Sequence, residues 1–251
     1  MKKSKKLKYW GWGYEETTLN KEEIKSLLNK LCKYGIVSSD KRSTPPIESI
    51  NLNKPKIEIP PNLKSISTEE KYQRILHSFG QSQPDSIRTF QSDFNHAPDL
   101  VSYPENENDL ITLYDFCEKS NVALIPYGAG SSVVGGVTSD VSSKYNGTIS
   151  VNLSKFNKVL EVDDVSLSAK IQGGIRGPDL ERSLKNYGLT LRHFPQSFEH
   201  STLGGWIATR SGGHFATLYT HIDDLVENIS MISPNGKMNS LRVPGSGAGP
   251  S

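Results

Sequence analysis

The stretch Pro126-Tyr127-Gly128-Ala129-Gly130-Ser131-Ser132-Val133-Val134-Gly135-Gly136 decides how the rest of this 251-residue chain is read. It follows a compact apolar run, Val122 to Pro126, that reads as a strand. A run of small residues lets consecutive backbone N–H groups converge on an anion, and Ser131 and Ser132 add hydroxyl donors. Phosphate or pyrophosphate is the natural guest. No lysine follows the glycines, so this is not a P-loop. Gly128-x-Gly130 also lacks the third glycine of a dinucleotide fingerprint and opens no evident helix. The same glycines would serve plain tight turns between strands, and the residues alone leave both readings open.

A second segment of similar texture lies downstream: Pro195-Gln196-Ser197-Phe198-Glu199-His200-Ser201-Thr202-Leu203-Gly204-Gly205-Trp206-Ile207-Ala208-Thr209-Arg210-Ser211-Gly212-Gly213. Small side chains there allow a large flat ligand to lie against backbone. Two such segments suggest one extended ligand held between two lobes.

Outward from these loops, Leu100 to Pro104 reads as a short strand and Glu105 to Lys119 as an amphipathic helix. Thr148 to Leu153 and Val165 to Ile171 alternate, which predicts strands with one buried face. Pro178 to Tyr187 is a helix with Pro in its first turn and Gly188 as its stop. Leu225 to Ile232 and Lys237 to Val243 flank Pro234-Asn235-Gly236, a hairpin signal. The order gives an α+β fold rather than a regular βαβ repeat. Upstream, Asn20 with Glu23 forms a capping box before a helix carrying Ile24, Leu27, Leu28 and Leu31. A second helix is expected from near Thr68, with Ile75, Leu76 and Phe79 inward. Paired prolines at 45–46 and 60–61 mark an irregular connection. Residues 1–95 show no chemistry and read as an N-terminal extension. Their aromatic cluster, Tyr9-Trp10-Gly11-Trp12-Gly13-Tyr14, implies a segment that docks on a larger body.

These motifs acquire a specific resemblance. YWGWGY (Tyr9 to Tyr14), APDLVSYP (Ala97 to Pro104), PYGAGSSVVGG and SFEHSTLGGWIATRSGG together resemble the alkylglycerone-phosphate synthase family, within the vanillyl-alcohol-oxidase (PCMH-type) flavoprotein superfamily. The resemblance implies a PCMH-type FAD-binding domain of two α/β subdomains over residues 96–251, preceded by the partly helical extension of 1–95. It implies that Pro126, Tyr127, Gly128, Ala129, Gly130, Ser131 and Ser132 hold the FAD pyrophosphate through backbone amides. Gln196, Ser197, Phe198, Glu199, His200, Ser201 and Thr202, with Thr209, Arg210, Ser211 and Gly212, would line the flavin and its ribityl chain. Ala129 stands where many members have glycine, which requires a negative φ there. Ser132 replaces a threonine, and Gln196 and His200 replace a more usual acidic and apolar residue.

The activity so implied exchanges the acyl chain of acylglycerone phosphate for a long-chain fatty alcohol, with FAD as cofactor and no net redox change. Peripheral membrane association and a homodimer belong to the same expectation. So does a cytoplasmic or membrane-peripheral location in bacteria, or a peroxisomal one in eukaryotes. The alternatives are an FAD-linked D-2-hydroxyacid dehydrogenase and a non-catalytic FAD-binding remnant. The family's catalytic groups and substrate cap domain lie beyond where this chain stops. It is therefore expected to be C-terminally truncated, with no catalytic residue assigned and the fragment inactive alone.

Composition narrows the field further. With 29 basic and 27 acidic side chains the net charge is only +2, which disfavours a general nucleic-acid binder. The basic run Lys2, Lys3, Lys5, Lys6, Lys8 reads as a solvated tail rather than an anion-binding arm. Cys32 and Cys117 form no CxxC pair, so a reduced compartment is expected. The histidines show no zinc-hydrolase spacing and no metal site is expected, nor does a G-x-S-x-G elbow occur. His200 and His214 fall in or beside the second loop, with structural roles favoured over cofactor contact. Asp163-Asp164 reads as a turn and Asp223-Asp224 as a strand entry. Arg210 suits a ligand anion or a salt bridge equally.

Overall fold

A computed structural model describes residues 5–36, 43–141, 143–218 and 221–240. Lys2, Lys3 and the segment 241–251, including the last residues of the expected hairpin strand, lie outside the described residues. The elements bear out the α+β expectation. A four-stranded sheet has the order β1-β2-β4-β3, from β1 (Ser67–Thr68), β2 (Leu100–Ser102), β3 (Val122–Tyr127) and β4 (Gly147–Asn152). β2 and β3 both run parallel to β4, and β1 is antiparallel to β2. The three parallel strands therefore end at one edge of the sheet, at Ser102, Tyr127 and Asn152. In open α/β sheets that carboxyl edge is where ligands bind.

Helix α4 (Glu107–Ser120) connects β2 to β3 and starts at Asn106, whose Oδ1 accepts from the Asp109 N–H at 3.0 Å. Asn121 ends it in the left-handed conformation that Asn tolerates better than most residues. Its inner face places Leu113 and Cys117 against Leu63, Leu100, Val122, Ile149 and Val151. Burial pushes the Cys117 thiol up to about 11, so it behaves as a small apolar group. All six residues of β4 are buried, so its alternation marks not one buried face but a central strand covered on both.

A second cluster is built from Ile175, Leu180, Leu184, Leu203, Trp206 and Ile222. It is formed around α5 (Gly177–Lys185) and α6 (Leu203–Ala208), beside the ribbon of β5 (Val159–Asp163) and β6 (Ser168–Ile171). The strand expected from Val165 is shorter. Val165 and Leu167 are exposed in the turn, where the Asp163 carboxylate accepts from the N–H groups of Val165 and Ser166. Asp223-Asp224 sits in a 3-10 turn, Ile222–Leu225, not at a strand entry. The last hairpin, β7 (Ser230–Ser233) and β8 (Gly236–Asn239), lies against α4 through Tyr114 and a Lys237–Glu107 ion pair.

Upstream, α1 (Lys21–Lys33) carries the expected capping box. Thr68 lies in β1, and the helix expected from it is α2 (Lys71–Leu76), followed by α3 (Gln83–Phe90). The prior Ser67–Thr68 pairing with β2 delays the helix start. Around these helices Ile50, Ile75, Phe79 and Phe94 form a third cluster. Among the described residues no helix is long and apolar enough to cross a membrane.

Candidate functional site

At the carboxyl edge of the sheet, β3 delivers the chain into the first glycine-rich loop. Tyr127, its last residue, is buried, and its hydroxyl donates to the Leu76 carbonyl at 3.1 Å. Gly130 takes φ +73 and lies against that ring, where a Cβ would come within 2.0 Å of the Tyr127 hydroxyl. Ala129 is absent from the described non-glycine residues of positive φ, so it satisfies the condition set by its departure from glycine. From outside, the Gln81 N–H donates to the Ser132 carbonyl at 2.7 Å, and Gly80 abuts that carbonyl so closely that a Cβ would meet it at 2.1 Å. Ser132 Oγ in turn accepts from the Gly136 N–H at 2.9 Å.

The loop is thus braced through its carbonyl and hydroxyl oxygens. The N–H groups of Ala129, Gly130, Ser131 and Ser132 have no acceptor among the described residues. At the far end of the loop, Thr138 Oγ1 and Ser139 Oγ are buried without a hydrogen-bond partner among the described residues. Unpartnered amides in a run of small residues, with orphaned hydroxyls further along the same loop, fit a phosphate-bearing group. Pro126 and Tyr127 belong to the strand, paired with Val151 and Asn152. Pro126 has no N–H to offer an anion, so both residues position the loop.

The second segment meets the first at Gly128. A Cβ on Gly128 would stand 2.5 Å from Thr202 Oγ1, and Thr202 caps α6 by accepting from the Gly205 N–H. Several members of this segment are committed to structure. Ser201 Oγ accepts from Trp206 Nε1 at 2.6 Å and donates to the Ser197 carbonyl at 2.8 Å. Phe198 stacks on Trp206 with ring centroids 6.1 Å apart. Thr209 Oγ1 donates back to the Gly205 carbonyl. Arg210, in a left-handed conformation, pairs with Asp223 at 2.6 Å. Ser211 Oγ lies 3.4 Å from His193 Nε2, and Gly212 bridges to His221. Gln196, Glu199, His200 and His214 instead line an open hollow of about 320 Å³ with Phe194, Pro195 and Phe198.

Further braces of this site lie in the region read as free of chemistry. Leu7 bridges Tyr14 and the Lys8 N–H donates to Gly13, closing a small aromatic hairpin. Tyr9 packs edge-on against Trp10 and Phe94 and donates to the Pro45 carbonyl, while Tyr72 donates to the Leu7 carbonyl at 2.7 Å. The other end of the hairpin docks on the second segment, with the Trp12 and Tyr14 rings 6.0 and 6.3 Å from His200. Burial, and then the Arg176 charge, push the His200 ring below its ordinary value. Beneath the first loop, His77 is fully buried between Gln73 and Asn152 and 4.2 Å from the Tyr127 ring. The sequence signals were present, in the aromatic cluster and in Gly80, but not their destination.

Comparison with known proteins shows the family. Residues 98–242 match the FAD binding domain family. The alkyldihydroxyacetonephosphate synthase of Dictyostelium discoideum is 39% identical over 72% of this chain and 29% of its own length. That of Trypanosoma brucei brucei is 32% identical over 66% of this chain and 27% of its own. A solved alkyldihydroxyacetonephosphate synthase superposes over 95% of this chain and 49% of that one, with TM-score 0.83 and 32% identity. The chain thus spans about 30% of the length of these curated relatives.

Proposed function

The chain belongs to the FAD binding domain family, and from that premise we propose that it carries the flavin-binding part of an alkyldihydroxyacetonephosphate synthase-like enzyme. The reaction is exchange of the acyl chain of acylglycerone phosphate for a long-chain alcohol. One observation carries this reading over generic flavin binding. The structural likeness to a synthase extends over 95% of the chain, well beyond residues 98–242.

Bound here, FAD would supply the nucleophile and electron sink of the exchange. The chain's own residues orient and shelter it. The amides of Ala129, Gly130, Ser131 and Ser132 would hold the diphosphate, with Gly128 and Thr202 as the close contact between the two segments. Gln196, Glu199 and His200 would line the flavin side, with Trp12 and Tyr14 packed against His200. Ser197, Phe198, Ser201, Thr209, Arg210, Ser211 and Gly212 hold the segment in shape. Both substrates are lipids, which favours a membrane-peripheral setting, cytoplasmic in a bacterium or peroxisomal in a eukaryote. A homodimer is part of the same proposal.

Flavin binding is tested by mixing the purified chain with FAD, removing free cofactor by gel filtration and recording the visible spectrum. A retained flavin spectrum is expected, whereas a folded, colourless protein overturns the reading. For the activity, the intact enzyme is given acylglycerone phosphate and labelled hexadecanol. Labelled ether product is expected; flavin reduction by a D-2-hydroxyacid without ether formation would assign it to the dehydrogenases instead.

A further inference from the structure

We propose that Arg176 is the cation that reads the diphosphate of FAD, held in place by Tyr14 of the N-terminal aromatic hairpin. The proposal rests on the flavin reading above and adds a side chain that no glycine-rich motif contains. Arg176 precedes α5 and forms an isolated backbone bridge with Thr202, the residue whose hydroxyl abuts Gly128. It therefore stands where the first loop, the second segment and the hairpin converge. Its one side-chain hydrogen bond among the described residues runs from Nη1 to the Tyr14 hydroxyl, at 3.3 Å. No carboxylate of the described residues lies within ion-pair distance of it, unlike Arg88, Arg182 and Arg210. A half-buried guanidinium tied only to a phenol keeps most of its donor fork free. Planar bidentate donation is what phosphate oxygens select, and arginine supplies it better than any other side chain.

Its field is felt on both sides of the junction. The charge lowers the titration of His200 in the second segment and opposes the upward push of burial on Tyr127 at the mouth of the loop. The loop amides of 129–132 supply partial charges only, so Arg176 adds the formal positive charge that a doubly anionic diphosphate lacks there. Tyr14 fixes the guanidinium from behind, which gives the aromatic hairpin a role in cofactor affinity as a positioning element.

The test measures dissociation constants of the full chain by flavin fluorescence for FAD and riboflavin, and by competition against FAD for ADP. Arg176→Gln is expected to weaken FAD and ADP by roughly tenfold or more, the range for a lost charged hydrogen bond, while leaving riboflavin unchanged. Arg176→Lys should fall between, keeping the charge but not the fork. Tyr14→Phe should weaken FAD by only a few-fold. Equal loss of FAD and riboflavin, or no loss in Arg176→Gln, overturns the proposal. Should Arg176→Gln fail to fold, the unaltered chain still decides. Its affinity for FAD and ADP must fall with added salt while that for riboflavin does not, and salt-independent FAD binding overturns the assignment. A wild-type chain that binds none of the three ligands removes the flavin reading itself, an outcome distinct from a wild type that binds FAD without regard to Arg176.

Discussion

His77 shows how much a single side chain can commit to one protonation state. Its Nδ1–H donates to the Gln73 carbonyl at 2.8 Å, and Nε2 accepts from the Asn152 side-chain amide at the same distance. A second ring proton would face a donor, in a site without solvent. Burial lowers its pKa from 6.5 to about 4. The unfolded chain takes up this proton near pH 6.5, and the folded one only near pH 4. The stabilisation is therefore full above pH 6.5 and is lost as pH falls toward 4, a difference on the order of 3 kcal/mol. Urea midpoints should drop steeply between pH 6.5 and 4.5, and His77→Gln should flatten that slope while lowering stability at pH 7. Gly130 makes a second residue-scale prediction, because it combines φ +73 with the Tyr127 ring at its back. Gly130→Ala should cost more than about 1 kcal/mol and lower the melting temperature by at least about 2–4 °C. The reshaped loop should also hold FAD less tightly, which titration against the wild type would show.

Helices α1 and α4 separate what local sequence decides from what packing decides. In α1 the Asn20 side-chain Oδ1 accepts from the Glu22 and Glu23 N–H groups while the Glu23 carboxylate accepts from the Asn20 N–H, so the start was legible from four residues. Its apolar spacing was equally legible, yet none of its residues is buried. A helix that buries none of its side chains fully is marginal in water. Its amides should exchange with deuterium far faster than those of α4, and Asn20→Ala should speed that exchange without moving the global melting temperature. α4 buries Leu113 completely, so Leu113→Ala should cost about 2–5 kcal/mol, read as a shifted urea midpoint. Strands were less legible, for the same reason. The alternation of β4 could not reveal that neighbours on both sides and layers on both faces bury every residue. The β5–β6 ribbon is exposed along most of its length, so its register comes from the Asp163 turn and cross-strand pairing rather than from a hydrophobic face.

At the scale of the whole molecule, the loops that would touch the ligand were visible in the sequence because small residues and hydroxyls act through their own backbone. Their supports were not. Gly80, Gln81, His77, Tyr14 and Arg176 reach the loops from segments far away in the chain, and no local pattern encodes such a pairing. The same long-range contacts decide how the chain folds. The expected boundary at residue 95 is, we propose, a division of function rather than of folding. β1 adds Ser67 and Thr68 to the edge of the sheet, and Leu63, 1% exposed, shares one buried cluster with Leu100, Leu113 and Ile149. The Asp99 carboxylate accepts from the Lys56 N–H as well as from Thr148, tying the linker to the start of β2 and β4. Residues 96–251 expressed alone would expose that face of the sheet and lose the Gly80–Gln81 brace on Ser132. Such a fragment should bind a hydrophobic dye, unfold without a sharp transition and fail to retain FAD, where the whole chain shows one cooperative transition. A soluble 96–251 fragment with a sharp melt and bound flavin would instead make the first 95 residues a separable unit. Leu63→Ala in the whole chain discriminates further. A cost of about 2–5 kcal/mol to the single transition is expected if the sheet and the N-terminal segment fold together, whereas loss confined to an early separate transition would show that they do not.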